Sequence, residues 1–437
     1  MTLLPAMRRA TTGAAVRSLA FVLFVPALAL AHGTPAQTLS VSTRPGVEND
    51  LLVSSTFGAI VSHDRGASWR VICEEAIGYG TGQRPAWLLS ASGAMFAGSF
   101  KGLFVARDGG CDWQTVPEFE VQGCADVQQR GGTMLAVQGK YSLTDANGIL
   151  RSTDDGHTWS RSAEESKVLF YSSVRLAPSN PMRAYVAAWW FQPNVSLLLR
   201  SDDDGQTFTT KDVSAALPAV GAFYVLAVHP TKPGTLFVTV TRDAEPKTSW
   251  LLKSTDDGDT FTPVVTAVEI FNSVAFGPDP SVVYAASGNA LYRSSDEGAT
   301  FELLAVPSRN ACVATSGAHV YGCGLQELDG FVVGQATSGK DFSSLMRWSS
   351  IAGPQTCPAS SMVTTLCEPL WPVVQSTFPI EPSDGGPPDA GEADAGHDPP
   401  IVPKPCGCSA ASGPMLLGLA LMLRRRSGVG APPSPGK

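Results

Sequence analysis

The chain has 437 residues, 43% of them hydrophobic and 16% charged, with 43 Gly and 33 Pro. That much Gly and Pro disfavours long helices and favours many short strands joined by turns, and the length allows one large repetitive domain or two ordinary ones. The formal net charge is −8. Setting aside Arg8, Arg9, Arg17, Arg424, Arg425, Arg426 and Lys437, all in the two terminal segments, takes the 31 Lys and Arg to 24 against 39 Asp and Glu, a net of −15 that argues against nucleic acid or an anionic membrane face as partner.

Residues 1–31 open with a basic stretch, continue with the apolar run "LAFVLFVPALALA" and close on Ala29-Leu30-Ala31. This is the plan of a secretory signal peptide, with cleavage expected before His32. The run is too short, and too interrupted by Pro26, for a membrane anchor.

From about Thr38 a phrase recurs: "SHDRGASW" (62–69), "ARDGGCDW" (106–113), "STDDGHTW" (152–159), "SDDDGQTF" (201–208), "STDDGDTF" (254–261) and "SSDEGATF" (294–301). The pattern is S-x-D-x-G-x-T-[WF]. A seventh copy, "QATSGKDF" (335–342), has Thr337 where the Asp should stand. The recurring positions Asp64, Asp108, Asp154, Asp203, Asp256, Asp296 and Thr337 are spaced as a four-stranded propeller blade requires. Each motif follows two alternating strand-like runs, as in "AMFAGSFKGLFVARD" and "VVYAASGNALYRSSD". Seven repeats over 38–350 predict an all-β, seven-bladed β-propeller, with each motif between the third and fourth strands of a blade.

The motif has a mechanical explanation. A short carboxylate accepts backbone N–H groups of its own turn, Gly supplies a positive φ at no steric cost, and the closing Trp or Phe buries its ring between blades for roughly 1.5–3 kcal/mol each. Recurrence in every blade marks the acids as scaffold. "SDDDG" at 201–205 lacks the spacing and closing Glu of a calcium loop.

These phrases resemble the Asp boxes of sialidase-type (BNR) repeats, found in bacterial neuraminidases, sortilin-type receptors, xyloglucanases and a photosystem assembly factor. The resemblance implies that the boxes lie at the blade periphery, away from any site. Sialidases pair this repeat with an Arg triad, a Tyr nucleophile assisted by a Glu, an Asp acid and an Arg-Ile-Pro element. Here the segment before the first box holds Arg44-Pro45 but no Arg-Ile-Pro, and no distinctive Tyr–Glu pair can be assigned. Xyloglucan-cleaving relatives set paired acids between two tandem propellers, whereas this chain has repeats for one. There is no G-x-S-x-G, H-E-x-x-H or P-loop sequence, and no cofactor or metal is expected.

Binding is expected on the face away from the boxes. Tight turns are predicted there in blades one, two and six, and longer loops in three, four and five: "VQGKYSLTDANGI", "AAWWFQPNVSL" and "TRDAEPKTSWL". Trp189, Trp190 and Phe191 cannot all enter one layer of a strand. They either fill the space between blades or form an aromatic platform bordered by Tyr141, Arg242, Glu245 and Lys247. The connection "CEEAIGYGTGQRPAW" offers Glu74, Glu75, Tyr79 and Arg84 as a second patch, or a solvated, disulfide-tied loop.

Nine Cys occur without any C-x-x-C, and the six His are scattered, so disulfides are expected over a metal site. Cys312–Cys323 and Cys357–Cys367 are the expected local pairs. Of Cys73, Cys111 and Cys124, the pair Cys73–Cys111 is preferred, with one thiol left free. Residues 351–380 are read as a small stapled appendage, and 381–405, rich in Pro, Gly, Asp and Ala, as a disordered tether. Residues 406–426 hold Cys406 and Cys408, a short apolar run and three Arg. This tail resembles myxobacterial C-terminal sorting signals, which implies recognition by a membrane-associated protease and anchoring through Cys. The preferred reading is an exported, surface-anchored binding module for a glycan or protein ligand. The alternatives are a sialidase-type glycoside hydrolase and a scaffold for envelope assembly.

Overall fold

The computed structural model describes residues 35–379, except 81, 121, 141–143, 192–193, 243, 289, 305–311 and 338–339. The expected signal peptide, tether and sorting tail, with Cys406 and Cys408, lie outside the described residues, as does Tyr141.

Seven antiparallel meanders follow one another along the chain. Their first strands are Thr38–Arg44, Ala86–Leu89, Asp126–Arg130, Leu169–Leu176, Phe223–Val228, Phe271–Phe276 and Val313–Ser316. Each first strand packs beside the next, and the last beside Thr38–Arg44, so they close a ring. The protein is a seven-bladed β-propeller.

Blade composition follows from this packing. The middle strands lie between two neighbouring blades and are apolar on both faces. Gly58–Ser62, Met95–Ser99, Gly102–Ala106, Thr133–Val137 and Val283–Ser287 are buried at every residue. The outermost strands face water, and Thr209–Asp212 is exposed throughout.

The S-x-D-x-G-x-T phrase folds as the turn from third to fourth strand. In blade three the Ser152 hydroxyl donates to Asp154 (2.8 Å) and accepts the Gly156 amide (2.9 Å). The Thr158 amide and hydroxyl both donate to Asp154, at 2.9 and 2.7 Å. Blades one, four, five and six repeat the arrangement. In blade two Ala106 replaces the Ser, and Asp108 keeps only the amides of Cys111 and Asp112. Gly205 is needed twice over. Its φ is +79°, and a Cβ would come within 2.6 Å of Leu135 in the preceding blade.

The residue after each recurring Asp also has positive φ, at Arg65, Asp155, Asp204, Asp257 and Glu297. From that conformation four of them reach back to the blade before. Asp155 takes Ser92 (2.5 Å) and Arg107 (3.2 Å). Asp204 takes Thr133 and Arg130 (both 2.7 Å) and Arg151 (2.5 Å). Asp257 takes Tyr185 (2.6 Å) and Arg183, and Glu297 takes Lys232 (2.5 Å). The second acid of these four boxes is therefore an inter-blade clasp.

Closure of the ring uses the C-terminal segment. Blade one is built wholly from the N-terminal end and blade seven from the other; the two share an apolar core that includes Val41, Leu51 and Val53 of one and Tyr321, Val332 and Val333 of the other, but no strand of either meander passes between them. Strand Ile351–Pro354 adds in parallel to the outer edge of blade one, pairing Ile351 with Trp69. The chain then crosses to a helical stretch, Val363–Gln375. Cys73–Cys367 fastens that stretch to blade one and Cys111–Cys357 fastens the segment before it to blade two, bridging 294 and 246 residues.

Two expected pairings are thus corrected. Cys357 and Cys367 are close in sequence but reach different blades, and Cys73 and Cys111 each meet one of them. Cys312–Cys323 forms as expected, and Cys124 is the free, buried thiol.

Two outcomes are expected in denaturant unfolding. Replacing Cys73 and Cys367 together by Ser lowers stability by about 2–5 kcal/mol, and replacing Cys312 and Cys323, 11 residues apart, lowers it less. Asp204→Ala, which leaves two largely buried guanidinium groups without their shared carboxylate, costs about 2–4 kcal/mol. Lys232→Ala, in an exposed pair, costs under about 1 kcal/mol.

Candidate functional site

In a four-stranded meander the first-to-second and third-to-fourth turns share one face. The second-to-third turns and the connections between blades share the other. The acidic turns are therefore committed to one face, where their carboxylates are saturated. Bonds from the Thr158 hydroxyl and amide hold Asp154 well below the usual carboxylate range. The Ser68 hydroxyl does the same for Asp64, and the Ser294 and Thr300 hydroxyls for Asp296. Such groups are poor proton donors.

The opposite face has a different chemistry. Phe100, in the second-to-third turn of blade two, is 60% exposed. Val168, Val220, Val268 and Ile270 are exposed in the inter-blade connections, and Leu328 in the short helix Gln326–Asp329 of blade seven. Of these side chains, Phe100 and Ile270 also line the central channel.

A depression of about 110 Å³ at the mouth is lined by Gln83, Arg84, Phe100, Phe170 and Tyr224. Below it a chamber of about 370 Å³ runs between the first strands, in the range of small-ligand pockets. Residues at and beside the first strands line it, among them Ser40 and Ser42, Asp126 and Gln128, Ser173 and Arg175, Tyr224 and Leu226, and Ile270 and Asn272.

Its charge is balanced. Arg175 pairs with Asp126 and donates from Nε to the Leu226 carbonyl at 2.7 Å. Asp126 also accepts the amides of Val127 (2.9 Å) and Val174 (3.0 Å) and the Gln128 side chain (3.3 Å). Among the residues lining chamber and mouth, Asp126 is the one carboxylate, and four donors occupy it.

The residues expected from sequence fall around this mouth unevenly. Arg84 is exposed and lines it. Trp189 and Trp190 are half-buried, and the Trp189 ring meets Phe170, itself a mouth residue, edge-on at 5.8 Å. Their segment is not a long loop. Ala184–Phe191 and Asn194–Ser201 are eight-residue strands whose pairing runs to Phe191 with Asn194.

Arg242 folds back on its own hairpin, over the Trp250 ring (5.7 Å) and onto the Pro246 carbonyl (3.2 Å) and Thr248 hydroxyl (3.1 Å). Glu245 and Lys247 are exposed at that hairpin's tip.

Tyr79 and Glu74 require a correction. Both are buried, Tyr79 edge-on to Trp87 at 6.3 Å, so they do not present a ligand surface. Their segment forms a short helix, Glu74–Ile77, whose Ala76 and Ile77 sit in the core and draw their neighbours in. Burial first, and then the neighbouring Glu75, pushes Glu74 from its ordinary 4.5 up to about 7. Sequence reasoning missed Phe100, Phe170, Tyr224, Asp126 and Arg175. Phe100 had a signal: a large aromatic beside Lys101 and Gly102, in what reads as a tight turn.

No known family profile matches the chain. Over 216 residues, 45% of its length, it is 28% identical to a xyloglucanase from Hypocrea jecorina; the match spans 22% of that protein. Two solved structures are similar to it. YCF48 from Cyanidioschyzon merolae has a TM-score of 0.47 at 16% identity, covering 69% of this chain and 94% of that one. The GH74 xyloglucanase from Xanthomonas campestris has a TM-score of 0.35 at 14% identity, covering 75% and 65%.

The Glu74 environment predicts a pH effect. The folded state holds the proton more tightly than the unfolded chain. Protonated Glu74 therefore stabilises fully below about pH 4.5, and the contribution is lost as pH rises to about 7. Glu74→Gln is expected to match wild type at pH 4 and to exceed it by about 1–2 kcal/mol at pH 8, read from denaturant midpoints at both pH values.

Proposed function

We propose that the protein is a carbohydrate-binding propeller that engages neutral glycans on the face away from the acidic turns. The observation that carries this is the mouth of the central channel. It combines an exposed aromatic ring, Phe100, and the aromatic wall of Phe170 and Tyr224 with a charge-balanced, hydroxyl-rich chamber. Flat apolar rings beside fixed hydrogen-bonding groups match the two sides of a sugar. The stretch similar to a xyloglucanase supports a glycan over a protein as ligand.

Binding is favoured over cleavage. Glycoside hydrolysis by the common route needs two carboxyl groups flanking the scissile bond, one of them able to donate a proton. The described residues that line the chamber and its mouth supply Asp126 alone, locked in its ion pair. The basic-then-apolar N-terminal segment and the Cys-Gly-Cys tail support export and surface anchoring, in which role the propeller would hold glycan at the cell envelope.

The purified protein is expected to be retarded in gels containing xyloglucan or a related neutral polysaccharide, with no rise in reducing ends. Phe100→Ala, at an exposed position, should weaken retention roughly threefold to tenfold at unchanged stability. Steady release of reducing ends would establish the hydrolase instead.

A further inference from the structure

We infer that the central chamber captures the free end of a neutral glycan chain, with the Asp126–Arg175 pair as its recognition element. This rests on the carbohydrate-binding reading above and narrows it to end-on recognition.

The first ground is topological. The chamber wall is made of the first strands of the blades, and these strands pack side by side around a complete ring. Such a wall has no lateral slot, so the interior of a polysaccharide can only lie across the mouth. A chain end can enter. From Ser172 at the mouth to Arg175 inside is three strand residues, about 10 Å at the usual rise, a depth suited to one or two sugar rings.

The second ground is chemical. Asp126 is more than nine-tenths buried, and its two oxygens accept from Arg175, Val174, Val127 and Gln128. It has no position left for an ammonium group, which excludes an amine-terminated ligand. The Arg175 guanidinium spends Nε on Leu226 and Nη1 on Asp126 and the Val174 carbonyl. Its charge is neutralised in place, so a carboxylate gains little from it. What remains open to a ligand is a set of hydrogen-bonding groups: the Arg175 Nη2 donors, whose charge Asp126 balances, the Gln128 side-chain oxygen, and the hydroxyls of Ser40 and Ser42.

Donors and acceptors interspersed at close range, with zero net charge and the Tyr224 and Trp87 rings alongside, fit the hydroxyls of a terminal uncharged hexose. A cation, an anion or a bare hydrocarbon each lacks a complement here.

The experiment compares ligands of one sugar type, with and without ends. The purified full chain is titrated calorimetrically with short linear β-glucan oligosaccharides, a cyclic β-glucan and xyloglucan polymer. The inference predicts that linear oligosaccharides bind and the cyclic glucan binds at least tenfold more weakly. Arg175→Met should weaken oligosaccharide binding on the order of ten- to a hundredfold, as for loss of a charged hydrogen-bond donor.

Ser42→Leu fills the chamber without removing any hydrogen bond made within the protein, so it serves if Arg175→Met misfolds. It should likewise abolish oligosaccharide binding at wild-type thermal stability. Equal binding of cyclic and linear glucan, or oligosaccharide binding untouched by Ser42→Leu, overturns end capture and leaves glycan binding on the face standing. Failure of all three sugars overturns both. Binding confined to a peptide with a free C-terminal carboxylate, lost in the Arg175 variant, would also overturn both.

Discussion

Seven sheets arranged radially, each apolar on both faces, hide that surface from water only while every blade has a neighbour on either side. Strands such as Thr133–Val137 and Val283–Ser287, buried at every residue, would face solvent wherever the circle parted. The seam between blades one and seven joins the two ends of the chain, and its meanders meet through a shared apolar core without exchanging a strand. The protein answers with a parallel strand on the outer edge of blade one and two disulfides that carry the C-terminal segment across blades one and two. Cross-links spanning most of the chain restrict the unfolded ensemble more than short ones do.

The same architecture separates scaffold from function. One face is consumed by the recurring turns, whose first acid closes the bend and whose second acid holds the preceding blade. Those carboxylates are tied up in hydrogen bonds and ion pairs within the scaffold. The other face carries no such duty, and its hairpins and connections vary from blade to blade. There exposed apolar side chains accompany a chamber whose charges cancel. A rigid ring with one committed and one free face is a natural support for recognition.

Local features were readable from the amino-acid sequence, and features joining distant residues were not. The Asp154–Gly156–Thr158 turn follows from short-range hydrogen bonding, and its repetition implied seven blades. Cys312–Cys323 closes a short loop across one hairpin and was legible for the same reason. Cys73–Cys367 was not, since its geometry exists only after the ring has closed.

The inter-blade clasp left a trace that could have been read. Acids at 155, 204, 257 and 297 recur one position after the turn Asp, and basic residues at 151, 200 and 253 immediately precede their boxes. Pairing across blades is what such a double repeat requires. The chamber left no trace at all, because Asp126 and Arg175 lie on different strands and neither belongs to a motif. Trp189-Trp190-Phe191 misled for a simpler reason: a long aromatic stretch before Pro193 resembles a loop, yet strand pairing continues to its end.

The claim on which everything else depends is that the C-terminal segment fastens the ring shut. Mass spectrometry of unreduced, protease-digested protein tests it most directly. The account predicts peptides joined through Cys73–Cys367 and Cys111–Cys357, with Cys124 alkylated only after unfolding. Peptides joined through Cys357–Cys367, or Cys73–Cys111, would contradict it.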